Sequence, residues 1–498
     1  MAAKSKSSGD AVQALLESEV SDLSEEDAAS ILAGMRVDDD SVDGGVVGLG
    51  VGGRGEETLN NYSSQSSIGV PPIKILAASP QHTFSFSPLL DVYGVTPSPG
   101  RWYIIHGMKG TGKTAACVGM AHMLIFQKYL FSDFEPQVVY FDTEGGFDPN
   151  RTSALSSPSS LYPLRQGDFI KHTKVYSPYS YQGSHKISTI QALILEELGA
   201  TSEEAKDIGD SDLDEDGTPR EKLKTVAALI AMVKRAVKKS KGKLPRRLFV
   251  IDSFAGADDT VELALLDKPT YMVPAKYKLI GVMFKQLQYV LHAMNASVIM
   301  IDWDVTNVNK ANIYSPDTTH GGAASTKYMG NHIVGMSTRK SEDIVKLVAK
   351  EKELAGRIVR LAIEKSRCAR NTVLPAQYMF NVGFSKTLTF MYYMTAHWSP
   401  EYRELIMESL REVMGKFDVD LAAVTSGKTG DFKNKLVKAF IQAATNNARA
   451  ITAARASGGD DLPHMLLTHE LYLEMLTLLE YVAKDVEAAV FSDDLCLS

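Results

Sequence analysis

Cysteine and tryptophan are scarce in this chain of 498 residues, at three of each. The thiols, Cys117, Cys368 and Cys496, are too few and too scattered for a disulfide framework or a zinc site, so a reducing compartment is expected. Long apolar runs are missing as well, none approaching the ~18 residues that a membrane helix needs. The opening Met-Ala-Ala-Lys leads into polar sequence rather than an apolar signal core, and a cytoplasmic protein with no membrane partner is the expectation. Nor is there an excess of positive charge: the net charge of -7 argues against a chain that coats itself uniformly in nucleic acid. What is present is ample apolar content, 44% hydrophobic residues, enough for a large core. The length prior suggests about three domains.

One stretch organises the rest. Trp102 to Ile105 reads as a buried strand, Ala115 to Phe126 as a helix, and between them lies His106-Gly107-Met108-Lys109-Gly110-Thr111-Gly112-Lys113-Thr114. Gly107 and Gly112-Lys113-Thr114 fit the P-loop spacing, in which glycines let backbone N–H groups turn toward phosphate oxygens at a helix N-terminus. Residues 107–114 are therefore the expected nucleotide-binding loop, with Lys113 reaching the β- and γ-phosphates and Thr114 holding Mg²⁺. The bland alternative is a chance glycine turn.

Two apolar strands ending in acids follow. Gln137 to Phe141 runs into Asp142-Thr143-Glu144, and a carboxylate just past a strand end beside a phosphate loop can orient and deprotonate water, which makes Glu144 the candidate base. A turn that merely caps the strand is the alternative. Leu248 to Ile251 leads to Asp252, a Walker B arrangement suited to Mg²⁺. Strand candidates at Ser297–Ile301 and His332–Met336 alternate with helical stretches such as Leu279–Met294, predicting a parallel sheet covered on both faces. Arg357–Glu364, Ala376–Val382 and Thr387–Tyr393 read as antiparallel strands added at one edge, and the chain after Trp398 turns helical: Glu401–Met414, Phe432–Ala453 and Leu467–Val490.

Domain boundaries follow composition. Residues 1–66 are rich in Ser, Gly and Asp and read as mostly disordered around one short helix beginning near Ser24, residues 67–398 as the core, and 399–498 as a helical C-terminal region. Within the core, 201–219 is an acidic insertion. Asp212–Gly217 mimics half a calcium loop but has Leu223 at the twelfth position, so a solvated loop is expected. Eight acids in 203–216 give way to a basic stretch from Arg220 to Arg247, which suits either phosphate or a solvated helix face. Gly427-Lys428-Thr429 echoes the P-loop ending without its upstream glycine or strand and reads as a turn.

The order of these motifs resembles the RecA family of homologous-recombination ATPases, its phage members of the UvsX type most of all. Pro99-Gly100-Arg101 before the P-loop, Phe141–Glu144 with Asp148-Pro149, Ile251–Ser253, Ser315–Gly322 followed by Lys327-Tyr328, and Glu364-Lys365-Ser366-Arg367 carry the likeness, over about residues 80–395. The resemblance implies a RecA-type P-loop core, ATP and Mg²⁺, and a homo-oligomeric filament on single-stranded DNA that pairs with double-stranded DNA. It also admits a single-strand-binding or mediator protein as partner, and a host-cytoplasmic location if the chain is phage-encoded. By the same resemblance Asp148 and Arg151 belong to the nucleotide site, Arg151 where the family stacks an aromatic ring on adenine. The loops Asp258–Lys276 and Asp304–Gly322 would bind DNA through Lys268, Tyr271, Lys276, Lys310, Thr319, Gly321 and Gly322. Lys365 and Arg367, alternating on a strand, would reach a neighbouring subunit's nucleotide. The chain departs from the family at Trp303, where a polar γ-phosphate sensor is usual. The reading is a DNA-dependent ATPase promoting strand exchange in recombination and repair. A hexameric helicase on the same core, or an ATP-binding DNA scaffold with weak turnover, are the alternatives.

Overall fold

The computed structural model describes residues 80, 82–147, 161–180, 186–210, 222–241, 243–254, 257, 272–306, 318–320, 330–348, 351–380, 383–426 and 432–495. The N-terminal segment 1–66, Asp148, Arg151, Asp212–Gly217, Lys268, Tyr271, Lys310, Gly321, Gly322 and Gly427–Thr429 lie outside the described residues.

At the centre is β1, Trp102–Gly107, buried along its whole length. Successive side chains on a strand point to opposite faces, so Tyr103 and Ile105 enter one hydrophobic cluster while Trp102 and Ile104 enter another. A strand covered on both sides must be apolar throughout, which explains its continuous rather than alternating sequence. The remaining strands are β2 (Pro136–Asp142), β3 (Thr173–Tyr176), β4 (Arg246–Asp252), β5 (Ala296–Ile301), β6 (Asp304–Thr306), β7 (Thr318–His320), β8 (His332–Val348), β9 (Glu351–Lys365), β10 (Thr372–Met379) and β11 (Gly383–Phe384). Among the described residues they form a nine-stranded sheet in the order β11-β10-β9-β8-β1-β5-β4-β2-β3, with β6 and β7 as a separate antiparallel pair. Pairing is parallel from β3 through β8 and antiparallel from β8 through β11. The chain is thus an α/β protein with a mostly parallel mixed sheet and an antiparallel edge.

Helices cover both faces: α1 (Pro88–Val92), α2 (Lys113–Leu130), α3 (Asp168–His172), α4 (Ile187–Glu197), α5 (Ser202–Asp210), α6 (Lys222–Lys239), α7 (Met272–Ala293), α8 (Lys386–Ala396), α9 (Tyr402–Gly415), α10 (Leu421–Thr425), α11 (Phe432–Ser457) and α12 (Leu462–Leu495). On one face α4, α6 and α7 contribute Ile190, Met232 and Leu287 to the cluster under Trp102. On the other, α2 and the C-terminal helices share a cluster: Phe126, Phe390, Leu410, Phe440 and Leu479 pack with Tyr103. No helix among the described residues is long and apolar enough to cross a membrane.

Several expectations are corrected. Thr387–Tyr393 is not a strand but part of α8. Ser385 caps it, its Oγ accepting from the Leu388 N–H at 3.2 Å, and the buried positions Lys386, Thr389, Phe390, Tyr393 and Met394 recur at helical spacing. Lys276 falls in α7 rather than in a loop. The acidic insertion begins as a helix, α5, which buries Ala205 and presents Glu204 to Arg235 of α6 at 2.6 Å. Arg235 of the basic stretch is thus paired with an acid, while Leu229 and Met232 of the same helix are buried. Arg367 lies beyond the end of β9, so strand alternation does not align it with Lys365.

Candidate functional site

The C-terminal end of β1 passes straight into the glycine turn. Gly107, Gly110 and Gly112 all take positive φ, and a Cβ at Gly107 would come within 2.2 Å of the Met336 carbonyl on β8. Glycine at 107 is therefore dictated by both backbone and packing. Met108, Lys109 and Gly110 are exposed at the tip, whereas Thr111 is buried and its hydroxyl donates to the Met108 carbonyl at 3.0 Å. Gly112, the N-cap of α2, has no side chain to cap the helix, which leaves the first-turn N–H groups without a side-chain acceptor. Lys113 folds back over the turn, its Nζ donating to the carbonyls of Gly107 at 2.7 Å and Met108 at 3.0 Å. A turn of this kind, at the start of an 18-residue helix, has the chemistry of an anion site.

Around Lys113 stand acids from neighbouring strand ends. Burial lowers its pKa, and the charges of Asp304, Asp252, Glu144 and Asp302 oppose that shift. Asp252, at the end of β4, accepts from the Tyr140 hydroxyl at 2.5 Å and from the Thr114 hydroxyl. Its pKa is raised by burial, against those two hydrogen bonds, with Glu144 and Asp142 adding to the rise. The ends of β2 and β4 are cross-linked: the Thr143 N–H donates to the Asp252 carbonyl at 2.9 Å and the Thr143 hydroxyl to the Ser253 carbonyl at 2.7 Å. The Ser253 hydroxyl donates to Glu144.

The acid that caps the turn is not the candidate base. The Asp142 carboxylate accepts from the N–H groups of Gly146 and Phe147, each at 2.9 Å, and so closes the turn itself. Glu144 stays exposed. Lys113, Thr114, Asp252 and Glu144, read from separate motifs, thus come together because β1, β5, β4 and β2 are consecutive parallel strands that end on one edge of the sheet. Among the described residues no three His, Cys, Asp or Glu side chains are grouped to hold a metal by themselves, so a cation here would draw on Thr114, Asp252, water and a bound anion.

A fifth residue escaped the motif. His106 is buried between two carboxylates, Nδ1 lying 2.6 Å from Asp304 Oδ1 and Nε2 lying 3.1 Å from Glu364 Oε1. Burial lowers its pKa, but the hydrogen bonds and charges of Asp304 and Glu364 outweigh that and raise it to about 9. Neither partner is near it in sequence, and no local pattern marks the contact.

Thr319 sits in β7, whose pairing with β6 makes the stem at the two ends of the Asp304–Gly322 loop. Trp303 is 48% exposed just past β5, its N–H donating to the carboxylate of buried Asp302 at 2.8 Å. Lys365 ends β9, and Arg367 is exposed in the following turn, where the Ser366 hydroxyl accepts from the Cys368 and Ala369 N–H groups at 3.0 and 3.1 Å. Burial lowers the Lys365 pKa and the charge of Arg367 lowers it further, so the two cations are within each other's field.

Fold and site together define an α/β protein whose glycine turn, basic side chain and carboxylates meet at the C-terminal edge of a mostly parallel sheet. A scan against models of known protein families finds no match, and a search of curated proteins finds none either.

Proposed function

We propose that this chain is an ATP-dependent DNA recombinase of RecA type, a DNA-dependent ATPase that forms filaments on single-stranded DNA and promotes homologous pairing and strand exchange. The observation that carries the ATPase part is the meeting of Lys113, Thr114, Asp252 and Glu144 on one edge of the parallel sheet, with Thr114 hydrogen-bonded to Asp252. The recombinase part is supported by the order of motifs: a hairpin-stemmed loop after β5, then a basic pair at the end of β9.

In this reading the N–H groups of the turn and of the first turn of α2 bind the phosphates. Lys113 exchanges its two loop carbonyls for phosphate oxygens. Thr114 and Asp252 would hold Mg²⁺, which would neutralise phosphate charge; their oxygens, already adjacent, suit a cation that keeps several waters. Glu144, exposed and steadied by Ser253, orients water for in-line attack, with a contribution of about 10²–10⁴ in rate. Lys113→Ala should abolish turnover and Glu144→Gln should lower it by about two to four orders of magnitude while sparing ATP binding. Normal turnover in both Lys113→Ala and Asp252→Asn would overturn the reading.

One observation favours a second reading, an ATP-binding DNA scaffold with weak turnover. Trp303, exposed past β5, offers a γ-phosphate only one neutral donor, its indole N–H, and no charge, so it is a weaker sensor than a cationic or multi-donor polar side chain there. Hydrolysis that DNA leaves unchanged, together with filaments in electron micrographs, would select it.

A further inference from the structure

Four elements close on one imidazole. β1 brings His106 to the residue before the glycine turn, β6 brings Asp304, β9 brings Glu364, and β8 passes at Gly335 without a side chain. A Cβ built on Gly335 would lie 2.9 Å from Glu364 Oε1 and 3.1 Å from both Cε1 and Nε2 of His106, so the space for the ring and its second acid exists because that residue is glycine. The site has a charge problem that this arrangement addresses. Lys113 is the basic side chain held on the turn, yet four carboxylates act on it, Asp304 foremost. A polyanion entering beside them meets a repulsive field unless some of that charge is already offset.

We propose that His106 is a charge-balancing positioning residue for the phosphate site: as an imidazolium it holds Asp304 and Glu364 against β1, so that Asp304 neither captures Lys113 nor repels the phosphates. The inference rests on the nucleotide-binding reading above and deepens it. His106 does not touch the nucleotide. It acts through the carboxylate it retains and through its own charge, one residue from the Gly107 carbonyl on which Lys113 rests. The groups facing it are Asp304 from β6 and Glu364 from β9, with Gly335 of β8 contributing none; Lys113 stands just beyond, under the charges of Asp252, Glu144 and Asp302 as well.

The test is a cycle on the full chain: His106→Gln, Asp304→Asn and the double variant, with binding of ATP and of a non-hydrolysable analogue measured directly and turnover measured alongside. His106→Gln keeps a hydrogen-bonding side chain but removes the charge, and analogue affinity and KM for ATP should worsen by about tenfold, a size set by one unit charge near a partly buried site. Turnover at saturation should change much less. Adding Asp304→Asn should return affinity to within about twofold of the unaltered chain, a rescue that a purely structural role would not produce. A folded-state pKa near 9, above the ordinary 6.5, means the charge is present below about pH 8 and lost as pH rises through 9; affinity should fall over that rise in the unaltered chain and stay nearly flat in the double variant. If His106→Gln fails to fold, Asp304→Asn alone still decides, since losing that partner lowers the pH at which His106 gives up its charge and should move the fall in affinity to lower pH than in the unaltered chain. Undiminished binding in folded His106→Gln, or a pH profile unchanged by Asp304→Asn, overturns this inference alone. Absence of nucleotide binding by the unaltered chain overturns it together with the proposed function.

Discussion

At the scale of single residues, the glycine turn is where sequence and structure agree most closely. Gly107 is required twice, by its φ of +149° and by the Met336 carbonyl that would meet a Cβ at 2.2 Å. Gly107→Ala should therefore cost roughly 2 kcal/mol or more of stability and displace β8 from β1, read as a lower urea midpoint than that of Gly110→Ala, where nothing lies within 4 Å of the added carbon. Spacing alone singled out Lys113 and Thr114, because a glycine turn between a strand and a helix is a local device in which each residue's place follows from its distance along the chain. Asp142 and Glu144 were harder to separate. Both stand near a strand end, and which caps the turn depends on N–H directions at Gly146 and Phe147 that spacing does not reveal.

Elements were legible where one period dominated. β1, β2, β4 and β5 are buried on both faces and read as apolar runs, and α9, α11 and α12 carry stripes. α8 misled because Thr, Phe and Tyr favour strands, and a capping serine with tertiary contacts on its Lys386, Phe390 and Tyr393 face outweighed that propensity. The end of β9 bears on the proposed activity. Lys365 sits on the strand and Arg367 in the exposed turn after it, and the proposed function has this pair act across an interface. Lys365→Ala/Arg367→Ala and Lys113→Ala should each be inactive, with turnover lowered by about 10³-fold or more, yet recover activity when mixed, since a mixed interface joins one intact turn to one intact pair. Co-assembly without recovery in the ATPase assay would exclude action in trans.

For the whole molecule, the C-terminal helices are bound to the core by more than apolar packing. Asp91 in α1 accepts from the Tyr472 hydroxyl of α12, and Lys386 of α8 lies 3.4 Å from the same carboxylate and donates to Tyr472 at 2.9 Å. Burial pushes the Asp91 carboxyl up to about 6 against the pull of Lys386. Removing one partner strands the other, so Lys386→Met should cost about 3–5 kcal/mol, and Lys386→Met/Asp91→Asn should recover a large part of it. Urea denaturation of the unaltered chain and the two variants checks this; a small loss in Lys386→Met would mean the network does not hold the helices.

What the sequence by itself determined is whatever depends on neighbours along the chain: the strand–turn–helix of residues 102–130, the strand-end acids, the α/β alternation and the helical end. Tertiary structure decided the rest. Arg246, within a basic stretch that reads as suited to phosphate or to a solvated helix face, is fully buried, its guanidinium donating to the carbonyl of Pro97 at 2.5 Å and to the Ser297 hydroxyl at 3.0 Å. His106 meets Asp304 and Glu364 because β5, beside β1, leads into β6 and because β9 runs past β8 at Gly335. Contacts between residues some 200 positions apart arise from strand order, and strand order follows from how faces pack and crossovers turn, which local composition does not encode.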